Sequence, residues 1–403
     1  MGDYLKVVVT GEVDSGKSTL IGRFLYEMGS ISKGVIEEIE EVCQGLGNDF
    51  EFAYLLDSFE EERKNNLTID TTQVFCKSRN GGGFIFIDVP GHRELIKNML
   101  SGSSCADIAI LVVDVQKSIE EQTKRHAFIL KFLGIEQILV VLNKMDLVGF
   151  KENIFQEFKE VTVEFFRKIR FQPTCFIPIS AQQGDNLLKR SKNMPWYNGL
   201  ALIEVLNSCP NKINANGNFR FPIQDIYNLN GEKVAVGEII SGKIKKGEKV
   251  KILPLDKGRS VKAIKVFNKN EFQAALPESI GLVLDKMSDL RRGQVICKPR
   301  LPLVSKEILA KLFCIRPVNI KENLVFRCAT QEIPVQIRKI IGAWDTANLE
   351  PKSKEDLLGA TDVAQIVMIA ESPVVVEKYK GFNRLGRFVL KSNREICAVG
   401  IIL

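Results

Sequence analysis

The sequence predicts an α/β P-loop-type domain, a mostly parallel sheet with helices on both faces, followed by two all-β barrels. Three observations lead there. In the first half of the 403 residues, five short apolar, β-rich runs occur at 5–10, 84–89, 108–114, 138–143 and 175–180. Helix-length amphipathic stretches at 118–133 and 153–169 lie between the later ones, and such alternation is the pattern of a helix-covered parallel sheet. After Leu206 a polar, turn-rich segment at 209–218 reads as a linker. Beyond it, strand-sized runs with glycine turns follow one another at 221–227, 233–241, 249–253, 261–266 and 280–284, with no helical period among them. A second break, Lys298-Pro299-Arg300-Leu301-Pro302, opens another strand-rich stretch to residue 403. The expected domains are therefore residues 1–210, 217–300 and 303–403.

Composition sets wide bounds. Apolar residues make up 45% and charged residues 26%, the balance of an ordinary soluble globular protein. The net charge of +7 permits a polyanionic partner without demanding one, since it is spread along the chain with no basic run of five or more. Nine scattered cysteines, never spaced CxxC, argue against a disulfide framework or a zinc site and for a reducing compartment. The first residues read as neither a signal peptide nor a membrane span, so a cytoplasmic protein with no membrane partner is expected.

The segment GEVDSGKST, residues 11–19, sits between a β-branched run and the apolar stretch that begins at Leu20. It matches GxxxxGK[ST] with Gly11, Gly16, Lys17 and Ser18. In such a loop, here including Asp14, Ser15 and Thr19, backbone N–H groups point at phosphate oxygens. The lysine neutralises the outer phosphates and the serine hydroxyl ligates Mg²⁺. A helix beginning near Lys17 adds its positive end.

A base-reading motif, Asn143-Lys144-Met145-Asp146, follows the run at 138–143. The Asp146 carboxylate can accept from guanine N1–H and the 2-amino group together, whereas adenine would leave it buried and unpaired. Asn143 can buttress the loop, and the stem of Lys144 can cover the base. Ser180-Ala181, after the last run, can offer a backbone N–H to guanine O6.

Between these stands Asp88-Val89-Pro90-Gly91-His92. Asp88 would hold Mg²⁺ through a water, Gly91 would let its amide approach the terminal phosphate, and His92 would orient an attacking water. Upstream, Thr68 in Asn66-Leu67-Thr68-Ile69-Asp70 is a candidate Mg²⁺ ligand that engages only while the terminal phosphate is present, as a switch would. The other histidine, His126, has no metal-ligand spacing around it and reads as structural.

With these elements in order, the chain resembles the translational GTPase superfamily over its whole length, in the arrangement of elongation factors Tu and one-alpha. The resemblance is carried by GEVDSGKSTLIGRFLY, FAYLLDSFEEER, DVPGHRELIKNMLSGSSCADIAILVVD, VLNKMDL and LGRFVLKSNREICAVGII. It implies GTP/GDP and Mg²⁺ as ligands and GTP hydrolysis as the reaction. Within the superfamily, TKRHAFI, PISAQQGDNLLKRSKNMPWYNGLALIEVL, FRFPIQDIY and the compact turn at 228–233 are more similar to the GTPase subunit of sulfate adenylyltransferase. That implies an ATP-pyrophosphatase-like catalytic subunit as partner, with GTP hydrolysis driving sulfate activation. The alternative is delivery of aminoacyl-tRNA to the ribosome, and a third reading is a GTP-binding scaffold that hydrolyses poorly.

Three departures from the family pattern bear on these readings. Lys64-Asn65-Asn66-Leu67 replaces the usual glycine before the switch threonine, a place where asparagine tolerates a left-handed backbone. Glu12 follows the first glycine of the phosphate loop and would weaken nucleotide binding if it pointed inward. Glu238 stands where arginine is common, which puts a barrel contact in doubt.

Overall fold

The computed structural model describes residues 4–45, 47, 50–56, 72–77, 83–88, 106–117, 121–132, 135, 137–169, 171–209, 217–229, 231–266, 269–345, 351–352, 357–379 and 384–403. The chain divides into two units, Met1–Asn211 and Lys212–Leu403.

In chain order the first unit contains β1 (Tyr4–Gly11), α1 (Lys17–Glu27), α2 (Lys33–Gly45), β2 (Thr72–Lys77), β3 (Gly83–Asp88) and β4 (Ile108–Asp114). Then come α3 (Glu121–Phe132), β5 (Ile138–Asn143), α4 (Glu152–Lys168), β6 (Cys175–Pro178) and α5 (Leu202–Ser208). The sheet order is β2-β3-β1-β4-β5-β6. All neighbours are parallel except β2, which runs antiparallel along the outer side of β3. Every residue of β4 and β5 is buried. A strand covered on both faces has no solvent side, which is why these segments are continuous apolar runs rather than alternating ones.

One face of the sheet, with Val7, Val9, Ile110 and Val141, packs against Leu20 and Phe24 of α1 and Leu202 of α5. A smaller cluster joins Val115, Leu142 and Met145 to Phe155 of α4. Parallel pairing brings the C-terminal strand ends side by side: Val9 pairs with Asp88, Gly11 with Val112, and Asp114 with Asn143. The chain builds to one side of β1 and then crosses to the other. The crevice at such a switch point is where open parallel sheets receive their ligands.

The second unit is all-β. Lys249–Leu253, Val295–Lys298, Phe219–Leu229, Glu232–Glu238, Ser279–Leu284 and Lys257–Val266 pair in that order, and the last pairs back to the first. A separate closed barrel runs Leu303–Cys314, Val363–Val376, Gln331–Trp344, Leu324–Cys328, Arg387–Ser392 and Glu395–Ile402. Each has its own apolar core, that of the first around Phe219, Phe221 and Leu282, that of the second around Phe326, Met368 and Phe388. Leu253, Val295 and Cys297 of the first barrel join the core cluster of the second.

Two ion pairs also cross between the barrels. Arg220, 2% exposed, donates from Nε at 3.0 Å and Nη2 at 2.6 Å to Glu377 Oε1, while its Nη1 donates to the carbonyls of Phe219 and Lys298. Glu238 accepts from Arg384 Nη1 at 2.6 Å. The acidic residue at 238 thus makes a contact of its own to the second barrel, with the arginine on that side.

Candidate functional site

The site is assembled on the C-terminal rim of the first unit's sheet. After β1 the chain turns through Glu12-Val13-Asp14-Ser15-Gly16 into α1, whose N-cap, Gly16, lies in the left-handed region at φ 86°. That conformation favours glycine. A second constraint acts at the same residue, since a Cβ added there would lie 2.3 Å from Asn143 Nδ2. Within the loop, Ser15 is buried and donates from Oγ to the Glu12 carbonyl at 2.9 Å. Lys17 Nζ donates to the carbonyls of Glu12 at 2.5 Å and Gly11 at 3.1 Å. Burial pushes the Lys17 pKa below its usual value, while the nearby carboxylates of Asp88, Asp14 and Glu12 act in the opposite direction. Ser18 and Thr19 stand in the first turn of α1.

Asn143 joins the phosphate loop to the base loops. Its Nδ2 donates to the Ser15 carbonyl at 2.9 Å, and its Oδ1 accepts from the Ala181 amide at 2.9 Å. The backbone reinforces this link, because the Met145 amide donates to the Ile179 carbonyl at 3.1 Å. The Ala181 N–H is thus committed to Asn143. Lys144 sits in the left-handed region at φ 66° and starts the short helix Met145–Val148. Its ammonium donates to Asp114 Oδ2 at 2.7 Å, which fixes the side-chain stem beside the strand ends. The Asp146 carboxylate is half-buried and meets no hydrogen-bond donor among the described residues.

Two contacts have no counterpart in the motifs. Asp114, the last residue of β4, anchors Lys144 and also accepts from the Gln116 amide at 2.9 Å. Its only signal in the sequence is an acidic residue ending an apolar run. Arg23 of α1 donates to the carbonyls of Gln182 at 2.9 Å and Gln183 at 3.1 Å, tying the helix after the phosphate loop to the loop after β6. Glu12 turns neither inward to the phosphates nor out to water: it is buried, and its Oε1 accepts from Thr123 Oγ1 at 2.8 Å. His126 is fully buried on α3. Thr68, Gly91 and His92, with the segment 64–67, lie outside the described residues.

The structure therefore brings Gly11, Asp14, Ser15, Gly16, Lys17, Ser18, Thr19, Asp88, Asn143, Lys144, Asp146, Ser180 and Ala181 to one rim. One ammonium, a loop of backbone amides and a helix N-terminus suit an anionic phosphate chain. The hydroxyl of Ser18 and the carboxylate of Asp88 are the oxygen donors that Mg²⁺ requires.

Comparison with known proteins agrees with this chemistry. Residues 3–215 match the family model described as the elongation factor Tu GTP binding domain, and residues 308–403 match the GTP-eEF1A C-terminal domain-like model. Elongation factor 1-alpha of Pyrobaculum aerophilum is 35% identical over 419 residues, covering 99% of this chain and 94% of that protein. The elongation factor 1-alpha of Methanoculleus marisnigri is 34% identical, over 99% of this chain and 97% of its own length. That of Thermoplasma acidophilum is 35% identical over 98% and 97%.

These relatives overturn the expectation of a sulfate adenylyltransferase catalytic subunit as partner. Beside the stretches at 178–206 and 219–227, the features behind it were a basic pair on α3 before His126 and the length of the hairpin turn between Leu229 and Glu232. Helix surfaces and hairpin loops vary in charge and length without altering the scaffold, so they discriminate poorly between branches. Among the described residues, no helix is long and apolar enough to cross a membrane.

Proposed function

Because the chain belongs to the elongation factor Tu and 1-alpha family of GTP-binding GTPases, we infer that it is an elongation factor that delivers aminoacyl-tRNA to the ribosome in the cytosol. One observation carries the reading: the likeness to elongation factor 1-alpha runs through 99% of the chain, both barrels included, rather than stopping at the nucleotide domain.

In this reading the phosphate loop binds GTP through its amides and Lys17, and Asp146 selects guanine. Asn143 holds the two loops in register, so that base recognition and phosphate binding act as one unit. Mg²⁺, when bound, would neutralise charge on the phosphates, and Ser18, Thr68 and Asp88 would hold it. His92 orients the water that attacks the terminal phosphate. Catalysis of this kind works by positioning and fixed charge, with no covalent step on the protein. Loss of the terminal phosphate releases Thr68, and that release is the event the tRNA-binding surfaces would respond to.

The test is a native pull-down of the tagged full chain loaded with a slowly hydrolysed GTP analogue, with RNA and protein in the eluate both identified. Aminoacyl-tRNA is the expected RNA, enriched over a GDP-loaded control. Equal recovery of tRNA with GDP, or none with either nucleotide, removes the carrier role.

A further inference from the structure

We propose that Glu12 is a positioning residue that governs nucleotide release: its carboxylate, turned aside by Thr123 but still near Lys17, weakens the grip of the phosphate loop and speeds the departure of GDP. This deepens the GTP-binding reading and rests on it.

Glu12 is the second residue of the loop and only 7% exposed. Its Oε1 accepts from Thr123 Oγ1 at 2.8 Å and from the Thr123 amide at 3.3 Å. Thr123 lies in the first turn of α3, where unsatisfied amides favour a negative charge. The backbone of Glu12 serves the opposite side of the loop, because its carbonyl accepts from Lys17 Nζ at 2.5 Å and from Ser15 Oγ at 2.9 Å. One residue therefore connects α3, the loop and the ammonium that a phosphate must recruit.

Two effects of opposite sign follow. The tether to Thr123 fixes the loop and turns the carboxylate aside. The charge itself remains near Lys17, alongside those of Asp14 and Asp88, and so opposes an incoming phosphate chain. Two of the three Lys17 N–H donors are given to carbonyl groups, which leaves one for a phosphate. The charge sets the direction of the net effect, a shorter residence of GDP, and the tether limits its size.

Release of a fluorescent GDP analogue from the full chain, chased with excess GDP, reads both effects. Glu12→Gln keeps the shape and an acceptor for Thr123 but removes the charge; release should slow by roughly tenfold. Thr123→Val deletes the hydroxyl donor and lets the carboxylate swing toward the phosphates, so release should quicken. Thr123→Ser keeps the hydroxyl and should restore the original rate. A purely structural role for Glu12 would leave Glu12→Gln at the original rate, because the glutamine oxygen still accepts from Thr123; an unchanged or a faster rate in Glu12→Gln overturns the proposal. Should Glu12→Gln fold poorly, the contrast between Thr123→Val and Thr123→Ser decides: equal rates in the two overturn it. Failure of the GTP-binding reading is distinct, since the unsubstituted protein would then take up no fluorescent GDP at all.

Discussion

On the proposed function, Asp146 is the residue on which nucleotide identity turns. Its carboxylate is half-buried and meets no donor among the described residues, and in the proposed reading guanine would supply hydrogen bonds to it. Asp146→Asn should lower GTP affinity by about 10⁴-fold and favour xanthosine nucleotides, whose 2-oxo group accepts where guanine donates. Competition binding with both nucleotides checks it; full GTP affinity in Asp146→Asn would move the base-reading role elsewhere. His92→Ala should slow single-turnover GTP hydrolysis while leaving GTP binding nearly intact, as befits a residue that orients water rather than holding phosphate. An unchanged rate would take His92 out of the mechanism. These residues are legible in the sequence because their spacing is local. Thr123 is not, since its partner Glu12 lies 111 residues away and only folding brings them together. Asp114 is hidden for a related reason, its service to Lys144 depending on the register of β4 against β5.

Among elements, the phosphate loop and the strand that bears Asn143 behave as one piece. Gly16 is the tightest point between them, and Gly16→Ala would demand both a left-handed backbone and room that Asn143 Nδ2 occupies. Left-handed backbone alone costs a non-glycine residue about 1–2 kcal/mol. GTP affinity of Gly16→Ala should accordingly fall by at least about tenfold, even where thermal stability changes little. Equal affinity in titration calorimetry would show that the loop and Asn143 are not coupled. The buried strands were readable almost to the residue, because β4 and β5 are unbroken apolar runs that stop at Asp114 and Asn143. Other elements escaped notice for physical reasons. The strand β2 has six residues on a sheet edge, and α5 has seven, too short for a helical period to emerge. The helix α2 did carry a signal, with Val35, Ile36, Ile39 and Cys43 three or four apart, but its strongly acidic middle obscured it.

Across the whole molecule, charge and stability are distributed unevenly. Residues 217–300 contain 17 Lys and Arg against 9 Asp and Glu, so the first barrel alone accounts for the positive excess of the chain. Net charge read over the full length hid that concentration, which would give the proposed tRNA binding a steep salt dependence. The two barrels are joined through Arg220, whose guanidinium has left water almost entirely and depends on Glu377 and two carbonyls. Removing one partner of a buried ion pair strands the other charge, at a cost of about 3–5 kcal/mol, whereas replacing both by apolar groups of similar volume is often neutral. Glu377→Ala should thus lower the unfolding free energy of the second unit, measured by urea titration, by an amount in that range, and Arg220→Met combined with Glu377→Leu should recover most of the loss. If both variants unfold at the same urea concentration as the unsubstituted chain, the barrels are held by their shared apolar contacts around Leu253 and Val295, and the ion pair adds only the register in which they meet.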